Sequence, residues 1–218
     1  MAMTMTLEEM EKEIRQLKEQ LVEARYAKDY LEIWKLQSLY SHLYNIGRRE
    51  EIPKLFAQHT PGVMMEIEDS GVYDNLASIT RFWNTVLGPD AARVPGFMAV
   101  HMTLNPIIEI NKAGNQAKGI WHSHGYCVLR MQKLIPFICL GKYDMEYVKE
   151  EGQWKFLKFF YRQIFMSPYD KGWVEAPSVG SIAASPHNKP DRPTTYHQPY
   201  DPSKINFFPP APPEPYRD

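Results

Sequence analysis

A chain of 218 residues, 44% hydrophobic and 13% aromatic, is long enough for one domain with a substantial core. A formal net charge of −1 with no basic block leaves no electrostatic footprint for nucleic acid, and no apolar run approaches the roughly 20 residues of a membrane span. The polar, acidic stretch Met1 to Glu13 is wrong for a secretory signal, and Cys127 and Cys139, each in an apolar strand-like run, read as buried free thiols of a cytoplasmic protein.

In chain order, Leu7, Met10, Ile14, Leu17, Leu21 and Ala24 follow 3,4 spacing with Glu and Lys between them. This predicts an amphipathic helix with a heptad-like seam, packed on its own domain or on a sister subunit. Ile33, Leu36, Tyr40 and Leu43 continue a second helical face that Gly47 and Pro53 punctuate. A short helix is expected at Lys54-Leu55-Phe56-Ala57, before the loop Thr60-Pro61-Gly62. Val63 to Glu68 reads as a strand. Asp74 is a candidate cap for a third helix that carries Leu76, Ile79, Trp83 and Val86, with Gly88-Pro89 as its stop.

Four long strand-like runs follow, at about 97–111, 116–130, 136–149 and 153–166, with turns at Gly114-Asn115 and Glu151-Gly152. Pro106 cannot donate to a ladder and is expected at a bulge or an unpaired edge. Helices first and a meander of long strands after predict an α+β fold. From Pro168 onward the character changes: twelve of the 18 prolines lie in the last 51 residues, interspersed with Trp173, Tyr196, Tyr200, Phe207, Phe208 and Tyr216. Such proline density excludes helix and central strand, and the aromatics argue against simple disorder. An extended, polyproline-like arm lying along a surface is expected.

The histidines stand out. His101 lies in the first long strand; His122 and His124 lie in the second and share one face of it by alternation. A hairpin can bring His101 near them, and imidazole changes charge close to neutral pH, so the group suggests proton transfer or metal binding. Three imidazoles are also the ligand set of some catalytic zinc sites.

The order of helix, short helix, strand, helix and sheet meander, with Leu39-Tyr40, Lys54-Leu55-Phe56-Ala57, the run His101 to Ile110 followed by Ala117 and Trp121, and Gly152-Gln153-Trp154-Lys155-Phe156, resembles the SnoaL-like branch of the nuclear-transport-factor-2-like superfamily. The resemblance covers about residues 28–167. It implies a cone-shaped, curved antiparallel sheet wrapped around helices, with the amphipathic helix (1–27) and the proline-rich arm (168–218) added outside. Within that family the chain is most similar to cofactor-free dehydratases: bile-acid 7α-dehydratase and, more distantly, scytalone dehydratase. A bile-acid-dehydratase-like site would match Tyr40 and His101. It departs at Asn45, which stands where an aspartate belongs, and at Gln163, which stands where an arginine belongs, with Arg162 displaced by one residue. The two-histidine scheme of scytalone dehydratase is met by His101 with His122 or His124, and Tyr40.

The reading is therefore a small-molecule lyase or isomerase without cofactor or metal. Its substrate would be hydrophobic and hydroxylated, aromatic or polycyclic. His101, His122, His124 and Tyr40 would carry acid–base catalysis. Asn45, Tyr44, Trp83, Trp121, Arg162 and Gln163 would bind substrate in an apolar pocket with Phe97, Met64 and Trp154. Glu66, Glu68 and Asp144 are the candidates for an additional acid. Two alternatives remain: a non-catalytic ligand-binding or assembly protein, favoured by the departures at Asn45 and Gln163, and a metal-dependent enzyme using the three histidines. A homo-oligomer, dimer or trimer, is expected through Leu7–Ala24 or the arm.

Overall fold

A computed structural model describes residues 5–67, 70–86, 94–130, 133–177 and 188–217. The two N-terminal helical patterns form one continuous helix, α1 (Leu7–Asn45). Thr6 caps it: its hydroxyl accepts from the Glu9 amide while the Glu9 carboxylate accepts from the Thr6 amide. Its two halves differ sharply in burial. Residues 5–28 are exposed throughout, whereas Asp29, Ile33, Leu36, Gln37, Tyr40, Ser41 and Leu43 are buried.

The expected short helix is a 3-10 turn that starts earlier, over Arg49–Leu55, with Pro53 inside it. Runs of this form are short, and proline, with no amide to donate, limits how far the helix extends. Phe56 then pairs with Phe156 as a bridge. Strands β1 (Met64–Ile67) and β2 (Val72–Tyr73) form a small hairpin. Helix α2 (Leu76–Thr85) is capped by Asn75, not by Asp74; Asp74 binds Arg192 instead. Gly88-Pro89 and Glu68 lie outside the described residues.

The long strands are β3 (Met98–Ile110), β4 (Gln116–Arg130), β5 (Leu134–Glu150) and β6 (Gln153–Pro168), followed by a single helical turn, α3 (Gly172–Glu175). The sheet order is β2-β1-β6-β5-β4-β3, antiparallel except where β1 runs parallel to β6. Three register shifts bend it, one in β3 and two between β5 and β6. The β3 bulge falls between Leu104 and Ile107, at Asn105 (φ 48°) and Pro106, on the edge strand. Pro106 thus occupies both of its expected settings. The extra residue also switches which alternate positions of β3 face inward: Ala99 before the bulge, Ile108 and Ile110 after it.

One face of the sheet holds the core. The second half of α1, α2 and the 3-10 turn pack against it around Tyr40, Ile52, Phe56, Phe82, Trp83, Tyr143, Phe156 and Phe159, whose rings meet largely edge to face. The arm runs over the opposite face. Arg192 bridges Val72, the Tyr200 amide donates to the Ile164 carbonyl, Lys142 Nζ donates to the Phe208 carbonyl at 2.7 Å, and the Lys118 ammonium lies 5.5 Å from the Tyr216 ring centre. Beyond the bridge to Val72 its path crosses β1, β6, β5 and β4, with the backbone extended across the strands.

Candidate active site

A cavity of about 70 Å³ opens between α1, α2 and the inner sheet face. Tyr40 and Tyr44 reach it from α1, and Phe82 and Trp83 from α2. The sheet supplies Ala99, His101, Cys127, Leu129, Cys139, Tyr143, Tyr161 and Met166. An engineered cavity of about 150 Å³ accepts benzene. Entry of a ring, and still more of the polycyclic substrate expected from the sequence, would require the lining to move.

His101 is the imidazole in this cavity, and the register explains its surroundings. It lies opposite Gly125 on β4, which lies opposite Cys139 on β5. A Cβ at Gly125 would sit 2.6 Å from Cys139 Sγ, 2.9 Å from the Val100 carbonyl and 3.2 Å from His101 Nδ1. The missing side chain leaves the space in which His101 and Cys139 approach each other across an intervening strand. Cys127, two residues along the same face, brings its Sγ to 3.7 Å from His101 Nε2. The ligating atoms of His101, Cys127 and Cys139 all lie within 4.8 Å of one another. The adjacent Cys139 thiol pulls the Cys127 thiol down to about 5; burial opposes this, and His101 reinforces it.

Asn45 has a different task from substrate binding. Its Nδ2 donates to the His101 carbonyl at 3.0 Å, its Oδ1 accepts from the His101 amide at 2.8 Å, and Ser41 Oγ donates to the same carbonyl. An edge strand has free backbone groups, and an amide side chain offers the matching donor and acceptor; a carboxylate would not. Asn45 therefore pins the backbone that carries His101. Tyr44 meets the His101 ring edge to face at 4.8 Å and lies under the Arg49 guanidinium. Tyr40 shares a hydrogen bond of 3.2 Å with Tyr143 OH, and burial, then the neighbouring phenols, raises it well above the ordinary phenol range. It stays protonated, a donor rather than a base.

Several expected site residues lie elsewhere. His122 and His124 occupy the alternate positions of β4, on the outer face, while Trp121, Ser123, Gly125 and Cys127 point inward. His122 is exposed, and His124 packs on Tyr126 at 4.9 Å. The three histidines are therefore not brought together, and neither a shared ion nor a three-imidazole relay forms. Arg162 is also outward: it pairs with buried Glu66 at 3.0 Å and lies between the rings of Phe160 and Tyr196, 4.7 Å from each. Glu66 accepts in addition from Thr194, Thr195 and Tyr196 of the arm, so it is an arm clasp rather than a cavity acid. Asp144 faces the same side, within 4.0 Å of Arg162.

Trp121 is buried but donates to Tyr147 OH and does not line the cavity. Gln163 pairs with Gly141 on the inner face beside the cavity; its Oε1 is buried with no hydrogen-bond partner among the described residues. Phe97 packs beside the cysteines, whereas Met64 meets Arg192 and Trp154 donates to Asp29. Sequence reasoning missed Cys127, Cys139, Tyr143 and Tyr161. The available signal was Gly125, a glycine inside a strand flanked by both thiol-bearing runs.

Residues 25–159 match the SnoaL-like domain family. The chain belongs to that family. None of the curated proteins matches it. Among solved structures, LinA aligns with a TM-score of 0.57 at 18% identity, covering 67% of this chain and 93% of that one. A scytalone-dehydratase-like protein from Novosphingobium aromaticivorans aligns at 0.55 and 16%, covering 72% and 97%. Hexachlorocyclohexane dehydrochlorinase LinA-type3 from Novosphingobium barchaimii aligns at 0.55 and 17%, covering 67% and 93%. At these identities the likeness concerns the fold, an α+β cone with a curved, unclosed sheet.

Proposed function

We propose that this SnoaL-like domain is a cofactor-free lyase or isomerase acting on a small hydrophobic molecule no larger than a single substituted ring. The observation that carries this reading is the placement of His101. It is the imidazole facing an apolar cavity, its backbone is pinned by Asn45 and Ser41, and its ring is set by Tyr44. His101 removes a proton α to a carbonyl or at a benzylic carbon. The Tyr40–Tyr143 hydroxyl pair replaces the outward histidines as the donor to the developing oxyanion or leaving hydroxyl. The names of the dehydratase and dehydrochlorinase neighbours fit elimination chemistry.

Deuterium exchange tests it. The full chain is incubated in heavy water with single-ring β-hydroxy ketones, and NMR follows loss of the α-proton and any alkene. Exchange that disappears in His101→Gln supports the assignment. Binding of a ring without exchange, across substrates that reach saturation, favours the second reading, a non-catalytic binding or assembly protein. The small aromatic-filled cavity is the observation on that side.

The assembly belongs to the same proposal. Leu7, Met10, Ile14, Leu17 and Leu21 are 41–71% exposed along one seam of α1, and a second copy of that seam is the occupant that matches its spacing. Light scattering of the full chain should give a dimer or trimer, shifted toward monomer by Ile14→Lys with Leu17→Lys; a wild-type monomer at micromolar concentration refutes it. Among the described residues no helix is long and apolar enough to cross a membrane. Among the described residues the two cysteines form no disulfide and both are buried, which supports a reducing, cytoplasmic setting.

A further inference from the structure

We propose that His101, Cys127 and Cys139 form a binding site for one thiophilic divalent ion, zinc, on the cavity wall. The site uses three donors from three adjacent strands: a ring nitrogen of His101 from β3, Sγ from β4 and Sγ from β5. Zinc bond lengths of about 2.0–2.1 Å to nitrogen and about 2.3 Å to sulfur imply tetrahedral edges of roughly 3.6 Å for N···S and roughly 3.8 Å for S···S. The His101–Cys127 separation of 3.7 Å already matches the first, and no pair of donor atoms exceeds 4.8 Å.

Three further observations point to an ion rather than to packing. Gly125 keeps a side chain out from between His101 and Cys139: a methyl group there would lie 2.6 Å from Cys139 Sγ and 3.2 Å from His101 Nδ1. All three residues line the cavity, which is the side from which a water or a substrate oxygen would complete a tetrahedral set. Two thiolates and a neutral imidazole balance a divalent charge, so the buried site carries no net charge.

This goes beyond the acid–base reading. An ion on the ring nitrogen of His101 that faces the thiols occupies the lone pair that proton abstraction at that nitrogen would use, so the two are alternative occupancies of one side chain. The test does not depend on turnover. The reduced full chain is titrated with Co(II), then with Zn(II) in competition, and followed by absorption. The expected result is a single equivalent per chain with a sulfur-to-cobalt charge-transfer band that zinc bleaches. Cys127→Ser, Cys139→Ser and His101→Gln should each weaken binding by more than the roughly 10–100-fold that loss of an outer partner costs a metal site. His122→Ala and His124→Ala should leave it intact. Absence of the band while both thiols are titratable after denaturation overturns the proposal. So does isolation of a Cys127–Cys139 disulfide that, once reduced, shows no band, or binding that follows His122 and His124 instead. The wild-type spectrum alone decides sulfur ligation, so a variant that fails to fold leaves the proposal open to refutation.

Discussion

The two faces of β4 carry side chains of similar chemistry into opposite surroundings. Inward, Gly125 and Cys127 join His101 and Cys139 at an apolar-lined cavity under α1 and α2. Outward, His122 and His124 share their face with Lys142 and Asp144, which the proline arm crosses. The inner face is closed by aromatic packing and the outer face by hydrogen bonds and ion pairs to an extended chain. Chemistry thus depends on strand parity more than on residue type: a histidine one position away on the same strand would have faced inward.

The largest effect that would break this comparison is on catalysis. His101→Gln should lower α-proton exchange by about 10²–10⁴-fold, the usual contribution of a positioned base, while His122→Gln and His124→Gln leave the rate at wild-type level. Equal losses for an outer histidine would remove the distinction between the faces.

Next comes the clasp of the outer face. Glu66→Ala leaves Arg162, which is 12% exposed at its side chain, without its buried partner. Urea denaturation should show a loss of about 3–5 kcal/mol, whereas Arg192→Ala, at the exposed Asp74 pair, should cost about 1 kcal/mol or less. The same carboxylate sets a pH dependence. Burial would raise Glu66, but hydrogen bonds from Thr194 and Thr195, with the Arg162 charge, hold it below the ordinary carboxylate range. A depressed folded-state value means its contribution is complete above the unfolded carboxylate value of about 4.3 and is lost as pH falls below it. Proteolysis of the arm should therefore accelerate on acidification through that range in wild type, and the acceleration should be smaller in Glu66→Gln.

On the inner face, Gly125→Ala should cost about 1–3 kcal/mol, because its Cβ would meet Cys139 Sγ and the Val100 carbonyl at under 3 Å. Thermal melts would check this; an unchanged midpoint would mean that the thiol side can retreat. Smallest, Tyr216→Ala removes an exposed cation–π contact with Lys118 and should cost about 0.5–1 kcal/mol in the same melts.

Much of this was legible before the structure. The 3,4 spacing in Leu7–Ala24 and Ile33–Leu43 predicted helix, although not that the two patterns join as one rod whose first half is exposed. Pro106 announced the β3 bulge because proline cannot donate. The start of α2 was missed by one residue, since Asp74 and Asn75 are both good caps and only the contact with Arg192 separates them. Asn45 was recognised as a departure from a dehydratase aspartate, but its clamp on the His101 backbone depends on a contact 56 residues away.

Periodicity, proline placement and turn residues were enough to set the element order, the α+β class and the extended arm, because these follow from local backbone preferences and side-chain spacing. They also showed that His122 and His124 share a face. Which face that is, and that His101 takes the other one, depended on the pairing of β3 with β4 and on which side the helices came to cover. The thiol pair beside His101 arose in the same way: cross-strand register brings Cys127 and Cys139 to a common inner face and puts Gly125 between His101 and Cys139. Register is a property of strands meeting in three dimensions, and a shift of one residue would have exchanged the two faces.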